Sequence, residues 1–209
     1  MLDGKVITGR LERAAVERHA YDLAHAAERG YHFDARRAAK AIELYEGVCS
    51  HTKGEWAGKP FVLSGNQCFI IWCLFGWRNA DYLRRFRFAF ISIARKWGKS
   101  EFLAGLATVV AAFDDPLEAG AEVYCVATKE DQAKIVHNIA KQMIRQSPIL
   151  QTQLKILARS IVSQDGALQP NSSFKPLGQD SQTSDGLNLH FGVFDEIHEW
   201  GEYHHALHE

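Results

Sequence analysis

The stretch Ala94-Arg-Lys-Trp-Gly-Lys-Ser100 decides the fold, because it ends in Gly-Lys-Ser between two apolar runs. The run at 88–93 is typical of a strand and the run at 101–110 is typical of a helix. A strand that leads through a glycine-containing loop into a helix is the context of a P-loop, which binds phosphate. Ile93 stands where the usual pattern G-x-x-x-x-G-K-[ST] has its first glycine, so this loop is a deviant one.

The loop residues have the chemistry that a nucleoside triphosphate needs. The amides that follow Gly98 can donate to phosphate oxygens at the positive end of the helix dipole. Lys99 offers a fixed positive charge for the β- and γ-phosphates, and the Ser100 hydroxyl is a ligand for Mg²⁺. Arg95 is predicted to stabilise the charge that develops at the γ-phosphate, in the manner of an arginine finger. The alternative is an exposed cation that only helps to bind phosphate.

A second motif, Phe191-Gly-Val-Phe-Asp195-Glu196, is an apolar strand that ends in two carboxylates. Asp195 can hold the metal through water, and Glu196 can orient and deprotonate the attacking water. As an alternative, the two acids are a solvated helix cap. Because the loop binds phosphate while the acids supply metal ligand and base, we predict that together they form a site for ATP and Mg²⁺.

The order of elements predicts the fold class. From residue 86 onward strands and helices alternate, with strands at 86–93, 122–127 and 189–194, helices at 99–112 and 129–146, and short strands within 155–175. This order predicts an α/β fold, a P-loop NTPase of the ASCE type with a parallel sheet flanked by helices. We predict an N-terminal helical extension and linker at 1–60, with helices at 11–29 and 34–49, and a P-loop ATPase domain at 61–209 that begins with a helix at 65–79.

Composition narrows the class of protein. The chain has 209 residues, 46% hydrophobic and 23% charged, with a net charge of -1, so no global basic field indicates nucleic acid. Residues 78–99 carry seven Lys or Arg against one acid, which indicates either a solvated segment or a DNA contact. Four cysteines without a C-x-x-C pair predict buried thiols in a reducing compartment. The apolar run Cys68–Phe75 is too short to span a bilayer, so we predict a buried helix, no membrane contact and a cytoplasmic location.

These motifs resemble those of the large terminase subunits of tailed bacteriophages. That family often has a loop that lacks the first glycine and carries an early arginine, as Ala94–Ser100 does. Its second motif ends in apolar-Asp-Glu, as Val193–Glu196 does. Upstream the family shows a proline and aromatic turn and then a glutamine that opens an aromatic helix, similar to Gly58–Trp77, and Asp185-Gly186 matches a further family position. The resemblance covers roughly residues 40–200.

The resemblance implies an ATPase that drives DNA into procapsids, encoded by a phage or prophage and acting in the bacterial cytoplasm. It also implies that Gln67 recognises adenine, whereas a helix-capping glutamine is the alternative. The predicted site comprises catalytic residues (Glu196, Arg95, Lys99), nucleotide-binding residues (Gln67, Arg95, Lys96, Trp97, Gly98, Lys99, Ser100) and Mg²⁺ ligands (Ser100, Asp195). Implied partners are double-stranded DNA, the portal protein, the small terminase subunit and further copies in a homo-oligomeric ring. A neighbouring copy would offer Arg145 or Arg159 as a second arginine.

Three other hypotheses stay open. Asp195-Glu-Ile-His198 matches the D-E-x-H box of superfamily 2 helicases, although Arg95 and Trp97 are atypical of their loop. A histidine-rich end, in which His204 and His208 would share a helix face, suggests a zinc site. Large terminase subunits continue with a coupling motif and a nuclease domain, and this chain ends at Glu209. We therefore expect both to be absent and keep a non-catalytic nucleotide-binding fragment as the third hypothesis.

Overall fold

The computed structural model describes residues 8–178 and 187–197, and the chain divides into two units. One unit consists of Met1–Glu43 and Leu63–Ile91, and the other of Leu44–Val62 and Ser92–Glu209. The predicted boundary at residue 60 does not coincide with this division. The helix predicted at 65–79 belongs to the same unit as the N-terminal residues.

The first unit is built from helices and a two-stranded antiparallel sheet. Its elements are α1 (Arg10–His25), the first part of α2 (Ala35–Val48), α3 (Gly65–Gly76), β1 (His32–Phe33) and β2 (Trp77–Arg78). The Asp34 carboxylate accepts hydrogen bonds from the backbone N–H groups of Arg36 and Arg37. Asp34 therefore caps α2, because it satisfies amides that have no partner inside the helix.

Two arginines of the basic stretch have structural partners in this first unit. Arg78 is fully buried and donates to the Phe75 carbonyl at 2.9 Å. The Arg85 guanidinium lies 2.8 Å from the buried carboxylate of Asp22 and covers the ring of Trp77. These charges stabilise the fold, so a DNA contact would have to use other members of the stretch. Its exposed members are Arg87, Arg95 and Lys96.

The second unit contains a five-stranded mixed sheet. Its elements are α4 (Lys99–Phe113), β3 (Glu122–Val126), α5 (Glu130–Gln146), α6 (Pro148–Gln153), β4 (Leu154–Ile156), β5 (Ile161–Ser163), β6 (Ser173–Leu177) and β7 (Leu189–Phe194). The strand order is β4-β5-β6-β3-β7. Strand β3 pairs in parallel with β6 and β7, whereas β5 pairs antiparallel with both β4 and β6. The predicted α/β class is confirmed, although the sheet is mixed because β4 and β5 form a short hairpin.

The prediction of a strand at 86–93 is wrong, since the structure has no strand there. Phe88 and Phe90 are 90% and 78% exposed. A strand needs hydrogen bonds from a neighbouring strand, and alternating apolar residues carry no information about such a partner. The predicted phosphate-binding loop at 94–100 is therefore preceded by irregular chain.

The core of the second unit lies around β3 and α4. Val123, Tyr124 and Cys125 are at most 2% exposed, and successive side chains of a strand point to opposite faces. Both faces of β3 are therefore covered. The stretch of α4 from Phe102 to Ala112 is buried almost throughout, which explains why its sequence lacks a polar stripe.

The four cysteines are free thiols, of which Cys49 and Cys125 are buried as predicted, whereas Cys68 and Cys73 are only partly buried. Burial raises the pKa of Cys49 to about 12, so this thiol stays protonated at neutral pH. The apolar run at 68–75 lies in α3, and within the described ranges no helix combines the length and the hydropathy of a membrane span.

Candidate functional site

The phosphate-binding loop has the backbone of an anion site. Gly98 adopts a φ of +89° directly before α4, and Lys96 has a φ of +68°. A Cβ added to Gly98 would meet nothing within 4 Å, so glycine is favoured here by conformation and not by space. The first N–H groups of α4, from Lys99 onward, have no acceptor inside the helix and carry its positive dipole. This end of α4 can therefore bind an anion.

Lys99 joins the two motifs of the site. Its Nζ lies 2.7 Å from Oδ1 of Asp195 and 2.9 Å from Oε1 of Glu196. Although burial alone would lower the pKa of Lys99, the two carboxylates outweigh that effect and raise it. The lysine is therefore charged at neutral pH. The structure thus brings together three of the predicted residues from distant parts of the chain.

The backbone at the end of β7 holds the two acids differently. The Asp195 N–H donates to the Val126 carbonyl at 3.2 Å, which extends the pairing with β3, and the Asp195 side chain is 11% exposed. Glu196 has a φ of +52°, which costs a non-glycine residue roughly 1 kcal/mol. Its N–H donates to the Asp195 carboxylate and its side chain is 40% exposed. Glu196 is therefore turned toward solvent, where a water molecule can reach it.

The side chains at this site fit a Mg²⁺–triphosphate group. Ser100 follows Lys99 in the first turn of α4 and offers a hydroxyl, and Asp195 offers a carboxylate. Such hard oxygen donors are those that Mg²⁺ takes in phosphate sites. Asp195 and Glu196 already hold one cation, the Lys99 ammonium, so the site is suited to positive charge at this place.

The other predicted loop residues have different surroundings. Trp97 packs edge-on against Phe102, with ring centroids 5.4 Å apart, so its indole supports the first turn of α4. Arg95 and Lys96 are exposed. An exposed Arg95 agrees with either predicted role, catalysis or phosphate binding.

Gln67 lies in the first unit, and its geometry matches the helix-capping alternative. Its Oε1 accepts a hydrogen bond from the Ser64 N–H at 2.8 Å, as part of a capping box at the start of α3. The residue is 5% exposed. Recognition of adenine by Gln67 stays a prediction.

The remaining predicted residues are not among the contacts of Lys99 described above. Arg145 and Arg159 are exposed in the second unit. His198, His204, His208 and the pair at 185–186 lie outside the described residues. Within 8–178 and 187–197, no group of three or more metal-ligating side chains forms a metal site.

Glu101, which follows Ser100 in α4, makes contacts that the sequence did not predict. Its carboxylate accepts hydrogen bonds from the Thr52 N–H at 2.8 Å and the Thr52 hydroxyl at 2.6 Å, and lies 3.1 Å from Nδ1 of His51. Burial alone would raise the pKa of Glu101, but the contacts with Thr52 and His51 outweigh it and lower the pKa. No local pattern indicates this cluster, because its members come from distant parts of the chain.

Comparisons with known proteins show the family and the fold of this chain. Residues 66–207 match the family described as terminase large subunit, ATPase domain. The terminase large subunit of Enterobacteria phage HK97 is 26% identical over 162 residues, which are 77% of this chain and 30% of that protein. The crystal structure of the HK97 bacteriophage large terminase matches 78% of this chain and 32% of its own, with 24% identity and a TM-score of 0.63, which shows a shared fold.

The chain spans about a third of the length of these relatives. The family match extends over more than half of the chain and includes both the phosphate-binding loop and the acids that follow β7. It leaves the superfamily 2 helicase hypothesis without support. The chain belongs to the family of terminase large subunit ATPase domains.

Proposed function

We propose that this chain is the ATP-hydrolysing domain of a DNA-packaging terminase and that hydrolysis drives DNA into a procapsid. One observation carries the proposal: Lys99, at the positive end of α4, lies between Asp195 and Glu196. A cation, a metal-binding carboxylate and an accessible base therefore share one place, as phosphoryl transfer to water requires.

Each residue then has a role in hydrolysis. Ser100 and Asp195 would hold Mg²⁺, which supplies charge neutralisation on the phosphates when it is bound. Lys99 exchanges its carboxylate contacts for phosphate oxygens, and this exchange leaves Glu196 able to accept a proton from the attacking water. Arg95 stabilises the charge that develops at the γ-phosphate.

The remaining roles rest on the family. Gln67 is proposed to recognise adenine through its amide group. In a homo-oligomeric ring, Arg145 or Arg159 of one copy would approach the nucleotide of the next, and both are exposed as this role requires. Double-stranded DNA, the portal protein and the small terminase subunit are the proposed partners.

Equilibrium binding of ATP to two lysine variants tests the proposal. Lys99→Ala should weaken ATP binding at least about 30-fold, because it removes a charged contact to the phosphates. Lys134→Ala is the matched control, since Lys134 also contacts two carboxylates, Glu130 at 3.0 Å and Asp131 at 3.3 Å, but on the exposed surface of α5. Equal ATP affinity in the two variants would exclude a phosphate site at Lys99.

A further inference from the structure

A loop at residues 50–60, here called the Trp56 loop, is closed by its own backbone. The His51 N–H donates to the Lys59 carbonyl at 2.9 Å, and the Gly58 N–H donates to the His51 carbonyl at 2.8 Å. At its tip, the Lys59 N–H donates to the Trp56 carbonyl at 2.9 Å. The sequence predicts a linker here, whereas these bonds give the stretch a defined shape.

The Trp56 loop is attached to the phosphate-binding end of α4 within the second unit. Thr52 and His51 contact the carboxylate of Glu101, which follows Ser100 directly. The His51 ring also stacks on Phe61, with centroids 4.3 Å apart and planes inclined by 21°. The loop therefore has a fixed position beside the first turn of α4.

At the tip of this ordered loop, Trp56 leaves 55% of its surface exposed. The Lys59 ammonium lies 4.4 Å from the indole centroid, and the His51 ring lies 6.2 Å away. The indole is thus attached to a hydrogen-bonded loop, and the Lys59 ammonium lies over one face of its ring. The exposed part of the ring can stack on a nucleobase, because every base has a π-face.

We propose that the Trp56 loop is the base platform of the nucleotide site, on which Trp56 stacks against the nucleobase of the triphosphate held by Lys99. This inference rests on the proposed function, since it requires phosphates at the start of α4. Only one side chain, that of His51, lies between the indole and Glu101, the residue that follows Ser100. Stacking would add affinity for nucleosides of any base and none for a phosphate chain that lacks a base.

Binding of two ligands, ATP and inorganic tripolyphosphate, each with Mg²⁺, tests the platform. Trp56→Ala should weaken ATP binding about tenfold, the effect expected from the loss of one stacked base, and leave tripolyphosphate binding unchanged. Trp56→Phe should keep most of the ATP affinity, whereas Trp56→Leu should lose it. Tyr21→Ala, which removes a 59% exposed aromatic side chain from α1, is the control and should change neither affinity.

The pattern over both ligands separates the possible outcomes. An equal loss of ATP and tripolyphosphate affinity in Trp56→Ala would show a structural role of the loop and overturn the platform, as would unchanged ATP affinity. If the wild-type chain bound neither ligand, the proposed function would fail and the platform with it. Should Trp56→Ala not fold, as judged by circular dichroism, the difference between Trp56→Phe and Trp56→Leu decides the question.

Discussion

Helix α4 and strand β7 meet twice, and at each meeting point one nitrogen-bearing side chain lies between two carboxylates. Where α4 begins and β7 ends, Lys99 contacts Asp195 and Glu196. Where α4 ends and β7 begins, Nε2 of His190 contacts Asp114 at 2.5 Å and Nδ1 lies 3.3 Å from Glu118. Each cluster thus has three polar side chains, yet the two clusters have different consequences.

The helix dipole and burial explain the difference. The start of α4 is its positive end, so the Lys99 cluster can exchange its own carboxylates for an anionic ligand. The end of α4 is its negative end, where the Asp114 side chain is 1% exposed and forms a hydrogen bond with the His190 imidazole. The first cluster is therefore suited to binding and the second to holding α4 against β7.

The largest effect should come from Arg95, which lies in the loop before the first cluster. Arg95→Ala should slow ATP hydrolysis about 10³-fold or more if it acts as an arginine finger, with little change in stability because the side chain is exposed. Single-turnover hydrolysis measures this rate, and Arg87→Ala, also exposed, is the control. A loss below about tenfold would contradict the arginine-finger role of Arg95 and favour the alternative, a cation that only helps to bind phosphate.

Substitutions in the second cluster, around His190, should change the stability of the protein and not its affinity for ATP. Asp114→Ala removes a buried partner of His190 and should lower the free energy of unfolding by about 3 kcal/mol, measured by urea denaturation. Glu118→Ala should cost less than about 1 kcal/mol, because that carboxylate is 51% exposed. The folded Asp114→Ala variant should bind ATP as the wild type does. A matching loss of ATP affinity would remove the distinction between the clusters.

The smallest effect should appear at two glycines with the same backbone conformation. Gly98 and Gly166 have φ values of +89° and +78°, and an added Cβ meets nothing within 4 Å at either. Alanine at each position should therefore cost about 1 kcal/mol of stability. Only Gly98→Ala should also weaken ATP binding, because only Gly98 precedes the anion-binding end of α4. Equal ATP affinities would show that the loop tolerates a different backbone.

The sequence predicted the parts of the site that local motifs encode. Lys99 and the acids after β7 belong to short patterns whose chemistry can be recognised in one stretch of chain. The contacts of Glu101 with Thr52, and of His190 with Asp114, arise only when distant segments pack together, so no local signal revealed them. The prediction of a strand at 86–93 was wrong for the same reason, since a strand depends on a partner that its own sequence does not specify.

The ATP turnover of Glu196→Gln, measured beside its ATP affinity, decides whether the Lys99 cluster is a catalytic site. The amide keeps the size of the side chain but cannot accept the proton of the attacking water. We expect ATP affinity within about threefold of the wild type and hydrolysis slowed by about 10²–10⁴-fold. Unchanged turnover in this variant would contradict the assignment of Glu196 as the base and of the cluster as the centre of hydrolysis.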